Sequence, residues 1–146
     1  MEITRINFME KWPLIEKAID SAAFLAIDGE FTGLSTDQEI RNSVLDTPAE
    51  RYEKTRCSAN KFLLVQFGLC AFKKDNDKYT NQAFNFYVWP RPYSKMAPDL
   101  RFLCQTSSID FLVNNDFDFN KLFKDGIPYL RPSDESKIRE TIEGDS

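Results

Sequence analysis

The chain has 146 residues, 42% of them hydrophobic and 14% aromatic, with 13 Phe; that suits one domain with a sizeable core and excludes a disordered chain. A net charge of −4 argues against a simple basic nucleic-acid binder, no apolar run is long enough for a membrane span, and the mixed-charge N-terminus MEITRINFMEKW lacks the apolar core of a secretory signal. There is no histidine, which removes hydrolase triads, HExxH zinc sites and any imidazole base from these residues, and the three scattered cysteines (Cys57, Cys70, Cys104) read as reduced, intracellular thiols.

Asn7 is placed to cap a helix to about Asp20. Phe8, Trp12, Ile15, Ala18 and Ile19 recur there at helical spacing, and Pro13 weakens only the first turns. The unbroken apolar run 23–27 predicts a central strand buried on both faces, ending in Asp28-Gly29-Glu30-Phe31-Thr32-Gly33-Leu34. Gly29 leaves room beside the acids, and Gly33 suits a tight turn. Residues 35–46 read as a polar loop. Thr47, Pro48 and Glu50 then form a helix start with a capping box, and the helix runs to about Ala59. Residues 61–72 and 82–89 are apolar strands joined by the polar turn 73–78, a hairpin stopped by Pro90. Pro90, Pro92 and Pro98 mark an extended connection. Short helices follow at 107–115, capped by Ser107 or Ser108, and at 118–123, stopped by residues 126–129. A last helix opens at Pro132 with Ser133 as cap and acids in its first turn, and ends near Ile142.

Charge is unevenly spread. Residues 61–101 carry seven basic and three acidic side chains, whereas the segments on either side are each net −4. A basic middle reads either as a nucleic-acid face or as ordinary solvated loops.

Asp28 and Glu30 carry the chemistry. On a strand, side chains at i and i+2 share a face, so the two carboxylates stand about 7 Å apart along the chain. Hard divalent cations take such oxygen ligands, and a pair of metals held by carboxylates hydrolyses phosphodiesters. Taken alone, the pattern is also that of a solvated strand end. No Lys or Arg lies within ten residues on either side, so a metal would supply the missing counter-charge. Phe31 and Leu34 beyond them either pack in the core or stack on a nucleobase.

IDGEFTGL resembles the first exonuclease motif of the DEDD family of 3′ exoribonucleases. NFMEKWPLIEKAI, DTPAERYEK, FLLVQFGLCAFK, FNFYVWPRP, FLCQTSSIDFL and FDFNKLFKDGIPYL, in this order over roughly residues 1–131, are similar to the poly(A)-specific ribonuclease family and its trimmer-like relatives. The resemblance implies an α/β, RNase H-like exonuclease fold, with a mixed sheet and flanking helices. Residues 1–146 would be its N-terminal, incomplete portion. It implies two-metal hydrolysis with Mg²⁺ at RNA 3′ ends, A-rich by expectation, releasing 5′-AMP. Asp28 would bridge both ions; Glu30 would hold one and help orient the attacking water. Phe31 and Leu34 would line the adenine path, and Ser107, Ser108, Ile109 and Phe111 would approach the RNA. SSIDFL also reads simply as a capped amphipathic helix. The family's remaining two aspartates and histidine are expected beyond these residues, so the isolated chain is expected to be weakly active or inactive. The resemblance also implies a homodimer and an intracellular setting, nucleus or cytoplasm. The alternatives are a catalytically incomplete RNA-binding or dimerisation module, or a partial fold without independent function.

Overall fold

A computed structural model describes residues 1–34, 43–92, 95 and 99–144, with side chains described only up to residue 140. Most of the expected loop 35–46, and Pro98 in the expected extended connection, therefore lie outside the described residues.

Four strands form one sheet in the order β1-β4-β3-β2, with β1 at Glu2–Ile3, β2 at Phe24–Phe31, β3 at Leu64–Asp75 and β4 at Lys78–Tyr87. Strands β2, β3 and β4 form an antiparallel meander, and β1 runs parallel to β4. The two-residue β1 carries no sequence signal of its own; its partners Asn85 and Phe86 lie more than 80 residues away. Five helices accompany the sheet: α1 (Phe8–Asp20), α2 (Pro48–Ala59), α3 (Thr106–Asn114), α4 (Phe119–Asp125) and α5 (Pro132–Gly144). Among the described residues, no helix is long and apolar enough to cross a membrane.

Period-2 alternation divides the sheet between two cores. Phe84, Phe86, Leu69 and Ala71 pack with Ile3 and with Ile15 and Ala18 of α1. On the other face Tyr87 packs with Leu63 just before β3, with Val65 at its start, where a register shift against β2 interrupts the alternation, and with Leu112 of α3 and Leu122 of α4.

Local signals are met where local bonds decide the structure. Thr47 and Glu50 form the full capping box of α2. The hairpin turn is tighter than expected: Asp75 pairs with Lys78, leaving a two-residue loop with Asn76 at φ 55°, a conformation Asn tolerates. Other expectations are corrected. Asn7 occupies the α1 cap position but makes no side-chain cap bond; its Oδ1 accepts from the Thr4 N–H and its Nδ2 donates to the Glu2 carbonyl, tying the helix to β1. Ser107 and Ser108 lie inside the first turn of α3, whose cap position is Gln105. Ser133 likewise lies inside α5, which starts at Pro132, and the Arg131 carbonyl accepts from the Asp134 and Glu135 N–H groups.

The largest correction concerns the run 23–27. Rather than a central strand buried on both faces, β2 is the edge of the sheet, paired only with β3 among the described residues. Leu25 is 45% and Ile27 71% exposed on the α1 side. Phe24, 48% exposed on the other side, is partly sheltered by stacking on Phe72 at 4.6 Å.

Candidate functional site

Asp28 and Glu30 share one face of β2, as the alternation requires. Across the sheet Asp28 pairs with Gly68, itself opposite Asn85, and Glu30 pairs with Gln66, itself opposite Tyr87. Gly68 keeps this floor low: a Cβ built there would lie 3.6 Å from the Asp28 Cβ and 3.5 Å from the Asn85 Oδ1. Gly68 belongs to no site motif in the sequence, although a lone glycine in a strand often marks close approach.

The two acids differ in setting. Asp28 is exposed and its Oδ1 accepts from the Gly29 N–H at 2.9 Å. Glu30 is half-buried, and burial raises its pKa above the ordinary 4.5, with the neighbouring Asp28 charge adding to the rise. Among the described residues neither carboxylate forms an ion pair. Two co-facial carboxylates with an unrelieved like-charge repulsion fit a hard, oxygen-ligated divalent cation. They fit it as a partial ligand set, since no group of three His, Cys, Asp or Glu side chains converges among the described residues.

Glu30 separates two recesses. One, of about 280 Å³, is polar and lined by Glu2, Gln66, Asn85, Tyr87 and Asp116 as well as by Glu30. Glu2 is held there by Lys121 at 2.5 Å and by the Tyr87 hydroxyl at 3.2 Å; burial and then the Glu2 charge push the Tyr87 phenol up. The other recess is a mainly apolar slot of about 380 Å³. Phe31 and Leu34 form one wall and Ser107, Ser108 and Phe111 of α3 the other, with Glu30 at its end. Phe111 is 60% and Leu34 75% exposed, so both present apolar surface to solvent. The structure thus brings together seven of the eight residues singled out from the sequence, with Asp28 beside the slot on the same strand face. Ile109 does not line it.

Two residues not singled out hold the slot open. Thr32, 3% exposed, donates its hydroxyl to the Leu103 carbonyl (2.6 Å) and accepts from the Leu63 N–H (2.9 Å). Its backbone N–H donates to the Leu63 carbonyl, and its carbonyl accepts from the Gln105 N–H. The Gln105 Oε1 then accepts from the Leu34 N–H at 2.6 Å, joining the DGEFTGL segment to the start of α3. These partners are 31 to 73 residues apart in sequence, so no local pattern announces them.

Gly29 does leave room beside the acids: it lines the slot next to Glu30, and a Cβ there would meet Leu64 at 3.0 Å and Phe31 at 3.1 Å. Gly33 has no positive φ; a Cβ there would sit 2.2 Å from the Phe62 ring, so close approach, not turn conformation, requires glycine.

Comparison with known proteins gives concordant results. The family model for CAF1 family ribonucleases matches residues 3–146. The chain is 50% identical to the poly(A)-specific ribonuclease PARN of Xenopus laevis over 98% of its own length and 23% of that protein. It is 49% identical to the PARN of Homo sapiens (96% of this chain, 22% of that protein). It is 34% identical to the pre-piRNA 3′-exonuclease trimmer of Bombyx mori (94% of this chain, 26% of that protein). It therefore spans about a quarter of the length of the curated relatives it matches. Among solved structures, S. pombe Pop2p in its Mg²⁺ and Mn²⁺ bound form superposes with a TM-score of 0.60 at 18% identity, over 93% of this chain and 50% of that one. That likeness concerns the fold, an α/β arrangement of RNase H-like type.

Proposed function

The chain belongs to the CAF1 family of ribonucleases, and we propose that it is the N-terminal part of a Mg²⁺-dependent 3′–5′ exoribonuclease that shortens RNA 3′ ends. The observation that carries this reading is the co-facial pair Asp28 and Glu30 at the end of an apolar slot, with no cation paired to either among the described residues. Asp28 and Glu30 would hold the metal, Asp28 shared between two ions, and the set would be completed by residues outside 1–146. A divalent metal held by these carboxylates would supply water activation and charge stabilisation for phosphodiester hydrolysis. Phe31, Leu34 and Phe111 offer the terminal base apolar faces, and the Ser107 and Ser108 hydroxyls suit sugar or phosphate oxygens. Ile109 adds apolar contact from the same helix. Glu30, between slot and polar recess, orients the attacking water. The higher identity to poly(A)-specific ribonucleases than to the trimmer supports an A-rich 3′ end as substrate. Three free thiols support an intracellular setting, in nucleus or cytoplasm.

The test is trimming of a labelled oligo(A) in Mg²⁺. A longer product containing this segment should shorten the RNA from its 3′ end, and Asp28→Asn should abolish it; absence of trimming there overturns the enzyme reading. Robust trimming by the 146-residue chain alone, lost in Asp28→Asn, would overturn the claim that further ligands are needed. The open apolar edge of β2 favours a second reading, a non-catalytic RNA-binding or dimerisation module. Salt-dependent RNA binding without cleavage would support it.

A further inference from the structure

The fold divides the basic middle of the sequence. Lys73, Lys74 and Lys78 sit at the hairpin tip, where β3 meets β4. Arg91 and Arg101 lie beyond the other end of β4, where Arg131 joins them from the acidic last third. These three guanidinium groups line a cleft of about 460 Å³ whose walls include Trp89, Phe102 and Tyr129. Arg101 and Arg131 are exposed, and neither forms an ion pair among the described residues. Arg91 donates from Nη2 to the Phe123 and Lys124 carbonyls at the end of α4, while its buried Nε has no partner among the described residues. Burial raises the Tyr129 phenol above its ordinary value, with the Arg131 charge opposing the rise. Asp99 and Asp134 also line the cleft, leaving three positive groups against two negative ones in a chain of net charge −4.

The cleft and the slot are joined by one stretch of chain. Arg101 and Phe102 lie in the cleft, Leu103 pairs with Phe62, and Gln105 bonds to Thr32 and Leu34 at the slot. Four residues of extended chain span about 13 Å, a distance of a few nucleotides. Grooves that bind single-stranded nucleic acid combine cationic groups for the backbone with aromatic faces for the bases. An acidic peptide would use the arginines but gain little from the aromatic wall.

We propose that this cleft is an upstream subsite for single-stranded RNA whose 3′ end occupies the slot at Glu30, with Arg101 and Arg131 on backbone phosphates and the aromatic wall stacking a base. The proposal rests on the RNA reading of the slot.

Fluorescence anisotropy tests it on the longer product containing this segment, with labelled oligo(A) of about three and about nine nucleotides, in Ca²⁺ to suppress turnover. The longer RNA should bind about tenfold more tightly than the shorter. The double variant Arg101→Gln/Arg131→Gln should remove that gain and leave the short RNA unaffected. It should also flatten the slope of log affinity against log salt by about 1.4, twice the roughly 0.7 per phosphate of a single strand. Asp134→Asn should strengthen binding of the long RNA only. A gain that survives the double variant, or a polyglutamate peptide competing as well as oligo(A), overturns the subsite. If the short RNA binds and depends on Phe111 but the long one binds no better, the subsite falls and the slot reading stands. If neither RNA binds, both fall.

Discussion

Burial and the adjacent Asp28 charge both hold the Glu30 carboxyl above its ordinary pKa of 4.5. A raised pKa in the fold means that the protonated form is favoured there. The stability Glu30 contributes is therefore complete below about pH 4.5, and it is lost as pH rises through the raised value. At neutral pH the carboxylate is a liability that a bound cation would relieve. Replacing it with the neutral isostere should stabilise the metal-free chain. Glu30→Gln is expected to raise the thermal midpoint at pH 7 by about 2 °C. The difference should vanish near pH 4 and narrow when Mg²⁺ is added to the parent chain. Calorimetric scans at the two pH values check this, and a lower midpoint for the variant at pH 7 would contradict it. Such a trade of stability for ligand chemistry is expected where a site needs ionised groups close together.

At the scale of elements, the slot depends on three segments meeting at Thr32: the end of β2, the start of β3, and the extended stretch that leads into α3. Its hydroxyl both donates and accepts inside the fold, so Thr32→Val leaves the Leu63 N–H and the Leu103 carbonyl without that partner. The expected cost is about 2–3 kcal/mol in urea unfolding, with weaker binding of short oligo(A), whereas Thr32→Ser should keep most of both. A Val variant as stable as the parent would show that the two bonds carry nothing. None of this junction is legible in the sequence, where Thr32 reads as one more residue of a turn. What is legible is local: the α2 capping box, the apolar face of α1, the hairpin, and the alternation that puts Asp28 and Glu30 together. The same limit explains the misplaced caps. Ser107, Ser108 and Ser133 have the right chemistry, but the cap position of α3 falls at Gln105, whose side chain is drawn to Leu34, and α5 begins at Pro132. The far wall of the slot, α3, was reached from the sequence only through family resemblance, because no spacing rule links residue 30 to residue 111.

At the scale of the whole molecule, β2 carries an apolar pattern suited to the middle of a sheet yet stands at its edge. Local pattern records how apolar a strand is on each face; which element covers it depends on the order of strands, and that order is set by long-range pairing. Among the described residues the open edge presents unpaired backbone groups alongside the exposed Leu25 and Ile27. Such an edge is a template for another strand, and charged side chains are what commonly block it. The purified 146-residue chain is therefore expected to self-associate, with a mass in light scattering that climbs above the monomer as concentration is raised. Ile27→Lys should hold it at the monomer mass. Ile27 is 71% exposed, so the substitution should change unfolding stability by no more than about 0.5 kcal/mol. A parent chain that stays monomeric across the range would show that the edge is silent. Association that persists in Ile27→Lys would move the contact elsewhere, with the apolar groove between α1 and the sheet, walled by Trp12, Phe67 and Val88, as the next surface to substitute.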